Sequence, residues 1–264
     1  MRALYVLLCC LWFNIAQASE RILALAPHIC ETLYAIGAEK DTVGGVSYCD
    51  YPEAAKSLPR IGAYNRINVE AAMLLKPTLA IAMNPQIPGL EKLQQLGVQT
   101  TASNPMTVAE VLADIRRMGK LTGHEKQANQ VADAMQKRLD TLRQRISGKS
   151  IPVFYEIWAE PLLTAGKNTF IHDVLKQIGL KNVFGDIALE APRVNIESVM
   201  NAQPKLIIIP SEKRDVSART AYWKKWLGED IAIITVNPDL VHRPGPRLLD
   251  GMEALVKQME DLSL

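Results

Sequence analysis

A chain of 264 residues with 48% hydrophobic side chains can build one large core or two ordinary ones, and is too apolar for intrinsic disorder. Its 30 Lys and Arg against 28 Asp and Glu leave a formal charge of +2, with the basic residues scattered over the chain. That balance excludes nucleic acid as the expected partner.

Met1 to Ala18 carry one positive charge at Arg2, an apolar run from Leu4 to Ile15, and Ala16-Gln17-Ala18 as a small-x-small cleavage site. This is the pattern of a secretory signal peptide, and the run is too short for a comfortable membrane span. The mature protein is expected outside the cytoplasm, after cleavage near Ala18. A lipid anchor at Cys9 or Cys10 is the other reading, against which Leu8 or Cys9 stands where a small residue belongs. Cys30 and Cys49 survive cleavage. An oxidising compartment permits a disulfide between them, and a pair of buried thiols remains open.

From Ser19 the elements alternate. Arg21 to Leu25 reads as a short strand ended by Pro27, Glu31 to Ile36 as a helix closed by Gly37, and Thr42 to Val46 as the next strand. A polar aromatic loop follows, Ser47-Tyr48-Cys49-Asp50-Tyr51-Pro52. Asn68-Val69-Glu70 opens a helix to Leu75, stopped by Lys76-Pro77 before the strand Leu79 to Met83. A helix from Gly89 to Leu96 and a strand from Val98 to Thr101 complete the first unit.

Met106 to Ser147 carries helical periodicity and no strand signal. Thr107 with Glu110 is a capping box opening one helix, weakened at Gly119 and Thr122-Gly123. A second begins at His124, with Ala128, Val131, Met135, Leu139, Leu142 and Ile146 on its apolar face. About 23 residues at 1.5 Å each span roughly 35 Å, enough to run along two small domains.

Beyond this spine, Pro152 to Trp158 is a strand, Thr169 to Ile178 a helix closed by Gly179, Lys205 to Ile209 a strand, Tyr222 to Leu227 helical, and Ile231 to Val236 a strand. The turn His242 to Arg247 leads into a closing helix, Leu248 to Leu262. Val194-Asn195-Ile196-Glu197 matches Ile67-Asn68-Val69-Glu70, each with a Pro seven residues after the Glu (Pro204, Pro77). Two parallel-sheet α/β lobes are expected, with a ligand between them near the carboxyl ends of the strands. The divisions are 1–18, a first lobe at 19–105, a bridging helical segment at 106–147 and a second lobe at 148–264.

The strand-end loops carry His28, Tyr48, Tyr51, Tyr64, Met83, Trp158 and the turn from Asp239 to Arg243. Large planar faces with few charges suit a flat, partly apolar ligand. If each aromatic covers roughly 100 Å² it contributes about 2.5 kcal/mol. Nanomolar binding needs about 12 kcal/mol, so polar contacts from Asp239, Arg243 and the backbone are also required. Tyr48, Tyr64 and Trp158 read as ligand-facing, with a packing role as the alternative, and Trp223 and Trp226, on a helix, read as surface or core. No CxxC, HxxxH or histidine cluster supports a metal site, and no GxSxG, GxGxxG or Walker loop supports a hydrolase or nucleotide site. His28 or His242 could act alone as an axial ligand to a macrocycle's metal. Glu70 and Glu197 are either first-turn acids stabilised by the helix dipole or a two-point dock for a basic, two-fold symmetric partner.

The motifs Arg21 to Pro27, Ser47 to Pro52, Asn68-Val69-Glu70 with Lys76-Pro77, and Arg243-Pro244-Gly245-Pro246-Arg247 resemble the class III periplasmic binding proteins of ABC importers. The Tyr48 loop is similar to that of their cobalamin-binding members. The resemblance covers nearly the whole mature chain. It implies two Rossmann-like lobes bridged by a long rigid helix, a periplasmic monomer with no cofactor and no catalytic residues, and cobalamin as ligand. Tyr48 would pack on the corrin, Asp239 and Arg243 would contact it from the second lobe, and Glu70 and Glu197 would pair with arginines of the two membrane-spanning subunits. Where the cobalamin binders carry tryptophans this chain has Tyr64, Met83 and Ala191, and it has Trp158 where they have a small residue. His28 replaces a small residue at the cleft, which keeps haem as the runner-up ligand, with siderophores also served by the class. A tetrapyrrole metal chelatase is the enzymatic alternative, opposed by the lack of an acid/base or metal constellation.

Overall fold

The computed structural model describes residues 20–63, 65–212 and 215–264. Strand β1 (Ile22–Ala24) is buried along its whole length, as a central strand of a covered parallel sheet must be. Helix α1 (Pro27–Ala35) starts four residues earlier than the sequence suggests. Pro27 opens it instead of ending the strand before it, because a first-turn proline forgoes an N–H that has no helical partner anyway. Gly37 takes φ +84° just past its end, as expected of a helix terminator.

β2 (Thr42–Gly45) follows, then a 3-10 turn at Glu53–Ser57 and an antiparallel hairpin of β3 (Gly62–Ala63) and β4 (Arg66–Ile67). The turn and hairpin lie in the Pro- and Gly-bearing connection, too short to show periodicity. α2 (Val69–Leu74), β5 (Leu79–Ala82), α3 (Leu90–Gln95) and β6 (Gln99–Ala102) complete the lobe, whose parallel sheet runs β2-β1-β5-β6.

The spine is two packed helices, α4 (Val108–Thr122) and α5 (Glu125–Arg145). Thr107 Oγ1 accepts the Glu110 amide at 3.1 Å, while the Glu110 carboxylate accepts the Met106 amide at 2.7 Å. Gly123, at φ +76°, ends α4, and the chain folds into α5. A Cβ on Gly119 would sit 2.2 Å from that of Ala128, so the two helices approach more closely than side chains permit. Arg117 donates to the Ala102 carbonyl at 2.6 Å, holding α4 on the first lobe.

The second lobe comprises β7 (Ile151–Trp158), β8 (Leu163–Thr164), α6 (Phe170–Gln177), β9 (Leu180–Asn182), α7 (Ile196–Ala202), β10 (Leu206–Pro210), α8 (Ser217–Leu227), β11 (Ala232–Val236), α9 (Pro238–Val241) and α10 (Leu248–Asp261). β11, β10, β7 and β9 are parallel, and β8 pairs antiparallel with the last residues of β7. Arg138 of α5 reaches Asp250 and Glu253 of α10 at 2.6 and 2.7 Å, and Arg145 reaches Glu260 at 2.6 Å.

The internal repeat is structural. Asn68 caps α2 by accepting the Ala71 amide at 3.0 Å, and Asn195 caps α7 by accepting that of Ser198 at 2.8 Å. Lys76 and Gln203 both take φ +48°, each immediately before its proline. Trp223 belongs to the core. It packs at 5.0 Å from Phe154, and its indole donates to the buried Glu156 at 2.6 Å.

Candidate functional site

In both lobes the parallel strands deliver their carboxyl ends toward the space between the lobes, which is where a ligand of such folds has access to loop side chains. A cavity of about 560 Å³ lies there, within the range of small-molecule sites. The first lobe contributes Met83, Asn84 and Gln86 to its wall, the second Asn168, Phe170 and His242. Met83 and His242 were visible as candidates from their strand-end positions. The amides were not, because lone Asn and Gln in loops carry no pattern.

Tyr48, three residues past β2, is 57% exposed, and Trp158, the last residue of β7, is 60% exposed. Trp158 is oriented by its indole N–H, which donates to the Glu160 carbonyl at 2.8 Å. Tyr51, 45% exposed, lies under Arg247, whose guanidinium is 3.9 Å from the ring centroid. Tyr64 lies outside the described residues, as do residues 1–19, where the signal peptide and cleavage site are expected.

His28 is placed differently from the expectation. It is 2% exposed in the second position of α1, and its Nε2 lies 3.0 Å from the Ser103 carbonyl and 3.2 Å from the Ser103 hydroxyl. Burial pulls its pKa down to about 4, against the raising effects of the Ser103 carbonyl and Asp114. This histidine is a neutral packing residue beneath the interlobe turn, with Gly245 against it, and is not open to a ligand's metal.

His242 is exposed to the cavity, and its Nε2 is 2.8 Å from the hydroxyl of the buried Tyr155. Burial raises the Tyr155 pKa, and the protein surrounding the His242 ring desolvates it enough to lower its pKa to about 4, against the raising effect of Asp239, although its edge faces the cavity. A neutral imidazole that accepts the Tyr155 proton at Nε2 carries its own proton on Nδ1. In either tautomer Nε2 is held by the Tyr155 hydroxyl.

Arg243 is also placed differently from a free ligand contact. Its guanidinium lies 3.0 Å from Glu31, 2.7 Å from Asp50 and 2.8 Å from Asp239. Arg247 makes two further bonds to Glu31, at 2.9 and 2.6 Å. Glu31 and Asp50 belong to the first lobe and the two arginines to the second, so this cluster joins the lobes. Burial alone would raise the pKa of Asp50, but the hydrogen bond and charge of Arg243 outweigh it and hold the carboxyl below its ordinary range. The sequence shows Glu31 as a metal-ligand type near a strand end and Arg247 as part of a motif, and does not show that the two pair across the lobes. The available signal was the pair of arginines flanking Pro244-Gly245-Pro246 at the turn into the closing helix.

Cys30 and Cys49 are bridged, with Cα atoms 5.6 Å apart. The bridge pins the Tyr48 loop to α1, the helix that carries Glu31. Glu70 and Glu197 are exposed in the first turns of α2 and α7, and neither has a hydrogen-bond or ion-pair partner among the described residues. No cluster of three or more metal-ligating side chains occurs among the described residues.

A family model described as periplasmic binding protein matches residues 22–222. A protein of Yersinia pseudotuberculosis named vitamin B12-binding protein is 33% identical over 266 residues, covering 99% of this chain and 94% of that one. The crystal structure of the periplasmic vitamin B12 binding protein BtuF of Vibrio cholerae superposes with a TM-score of 0.82 at 30% identity, covering 92% of this chain and 98% of that one. The periplasmic heme binding protein HutB of Vibrio cholerae superposes with a TM-score of 0.81 at 19% identity, covering 92% and 99%, a likeness of fold.

Proposed function

The chain is a member of the periplasmic binding protein family, and from that premise we propose that it captures cobalamin between its lobes and delivers it to an ABC importer in the inner membrane. The family is one of solute carriers and not of enzymes. The observation that carries the ligand reading is a cavity of about 560 Å³ walled by strand-end loops of both lobes, with two widely exposed aromatics, Tyr48 and Trp158, just past β2 and at the end of β7. Exposed rings at strand ends can cover a flat, partly apolar ligand. The names of the full-length relatives at 33% identity and of the neighbour at 30% identity support cobalamin as that ligand.

Tyr48, Tyr64 and Trp158 supply flat apolar contact, Met83 an adaptable apolar one, and Asp239 a carboxylate at the rim. Arg243 acts by holding Asp50 and Asp239 in place, and so holds the Tyr48 loop against the second lobe. The burial of His28 against Ser103 weighs against a haem held by that histidine. The leader 1–18 sends the chain to the periplasm, with lobes at 19–105 and 148–264 on the bridging segment 106–147. The mature protein works as a monomer. Glu70 and Glu197 dock on basic side chains of the importer's two membrane-spanning subunits.

Isothermal titration of the leaderless protein with cyanocobalamin tests the reading, with haemin in parallel. Tight one-to-one cobalamin binding that Tyr48→Ala weakens at least about tenfold is expected. Binding of haemin alone would leave the fold standing and overturn the ligand.

A further inference from the structure

Each of the two docking acids has an exposed apolar neighbour that a purely ionic dock does not need. Leu74 follows Glu70 by four residues and Met200 follows Glu197 by three, spacings that place each beside its carboxylate on one helix face. Leu74 is 82% exposed, the most exposed large hydrophobic side chain among the described residues, and Met200 is 41% exposed. Scattered surface hydrophobics need no explanation. Here they recur on twin helices, each beside an unpaired acid.

An exposed ion pair alone is a weak anchor and is screened by salt. Water-excluding apolar contact around such a pair both adds burial and strengthens the charge interaction. We infer that each lobe docks through a composite contact, Glu70 with Leu74 and Glu197 with Met200, and that the importer's membrane-spanning subunits present at each point a basic side chain beside an apolar recess. The inference rests on the docking role proposed above for the two acids. The two contacts are unequal. The position matching Leu74 is Asn201 on α7, and the position matching Met200 is the half-buried Met73 on α2. The first lobe therefore carries the larger apolar share.

The test is binding of cobalamin-loaded protein to the importer, purified with its ATPase subunits in lipid nanodiscs, at low and high salt. Glu70→Ala and Glu197→Ala report the ionic dock, Leu74→Ala and Met200→Ala the apolar one, and cyanocobalamin titration of every variant checks that the ligand site is intact. Leu74→Ala is expected to weaken docking about tenfold with an unchanged salt dependence, Met200→Ala about threefold, and the acid variants with a flattened salt dependence. If the acid variants weaken docking and Leu74→Ala stays within about twofold of the parent, the composite contact is refuted and the ionic dock stands. If neither class of variant changes docking, the docking role itself fails, and this inference with it.

Discussion

Glu31→Gln removes one charge from the cluster that joins the lobes and keeps the side chain's shape. The parent carboxylate is 2% exposed and accepts three bonds at 2.6 to 3.0 Å, two from Arg247 and one from Arg243. Breaking a buried ion pair by removing one partner costs about 3 to 5 kcal/mol. Arg243 retains Asp50 and Asp239, and Arg247 retains its stack on Tyr51, so the lower end applies, about 3 kcal/mol. At 2 to 4 °C per kcal/mol for a chain of this size, the midpoint should fall by about 6 to 12 °C. Calorimetry and urea melts of the ligand-free protein measure it. Glu253→Gln, at the half-exposed Arg138 pair, is the control and should cost no more than about 1 kcal/mol. A cost for Glu31→Gln as small as that of the control would mean that the arginines are solvated in solution and that the cluster does not fix the lobes.

Acid should weaken the fold well above the carboxylate range. The folded pKa of His28 is about 4 against 6.5 unfolded, so the unfolded chain takes up the proton first. Its contribution is full above pH 6.5 and is lost as pH falls toward 4, about 3 kcal/mol in all, with His242 acting in the same direction. Urea melts at pH 7 and 4.5 that agree within error would refute this. Replacing Cys30 and Cys49 with serine frees a loop closed over 19 residues and should cost about 3 kcal/mol, read from the same melts. Gly119→Val should destabilise despite removing a helical glycine, since its Cβ meets Ala128 at 2.2 Å. A gain in melting temperature would show that the helices can separate there.

The α/β class, both lobes and the two-helix spine were legible because each rests on periodicity over many residues and on punctuation such as Gly37, Gly123 and Gly179. The repeat around Asn68 and Asn195 was legible for the same reason, as a local pattern occurring twice. Short elements without a period, such as β3, β4 and β8, were not. Placement of the site residues was harder, because a strand-end position says that a side chain could reach the cleft and not whether another group claims it first. His28 is claimed by Ser103 and Arg243 by Glu31 and Asp50, partners 75, 212 and 193 residues away, a distance at which sequence carries no pairing signal.

The helix crossing at Gly119 and Ala128 has a consequence for how the chain can be divided. α4 is fastened to the first lobe through Arg117, and α5 to the second through Arg138 and Arg145. Each lobe thus brings one helix to the crossing, and covalent continuity between them passes through the turn at Gly123 and His124. Cut at that turn, the chain becomes two halves whose mating surfaces are already built, α4 against α5 and Arg243 and Arg247 against Glu31. It is a natural candidate for fragment complementation, in which the cleft, and any ligand signal from it, exists only while the halves are together.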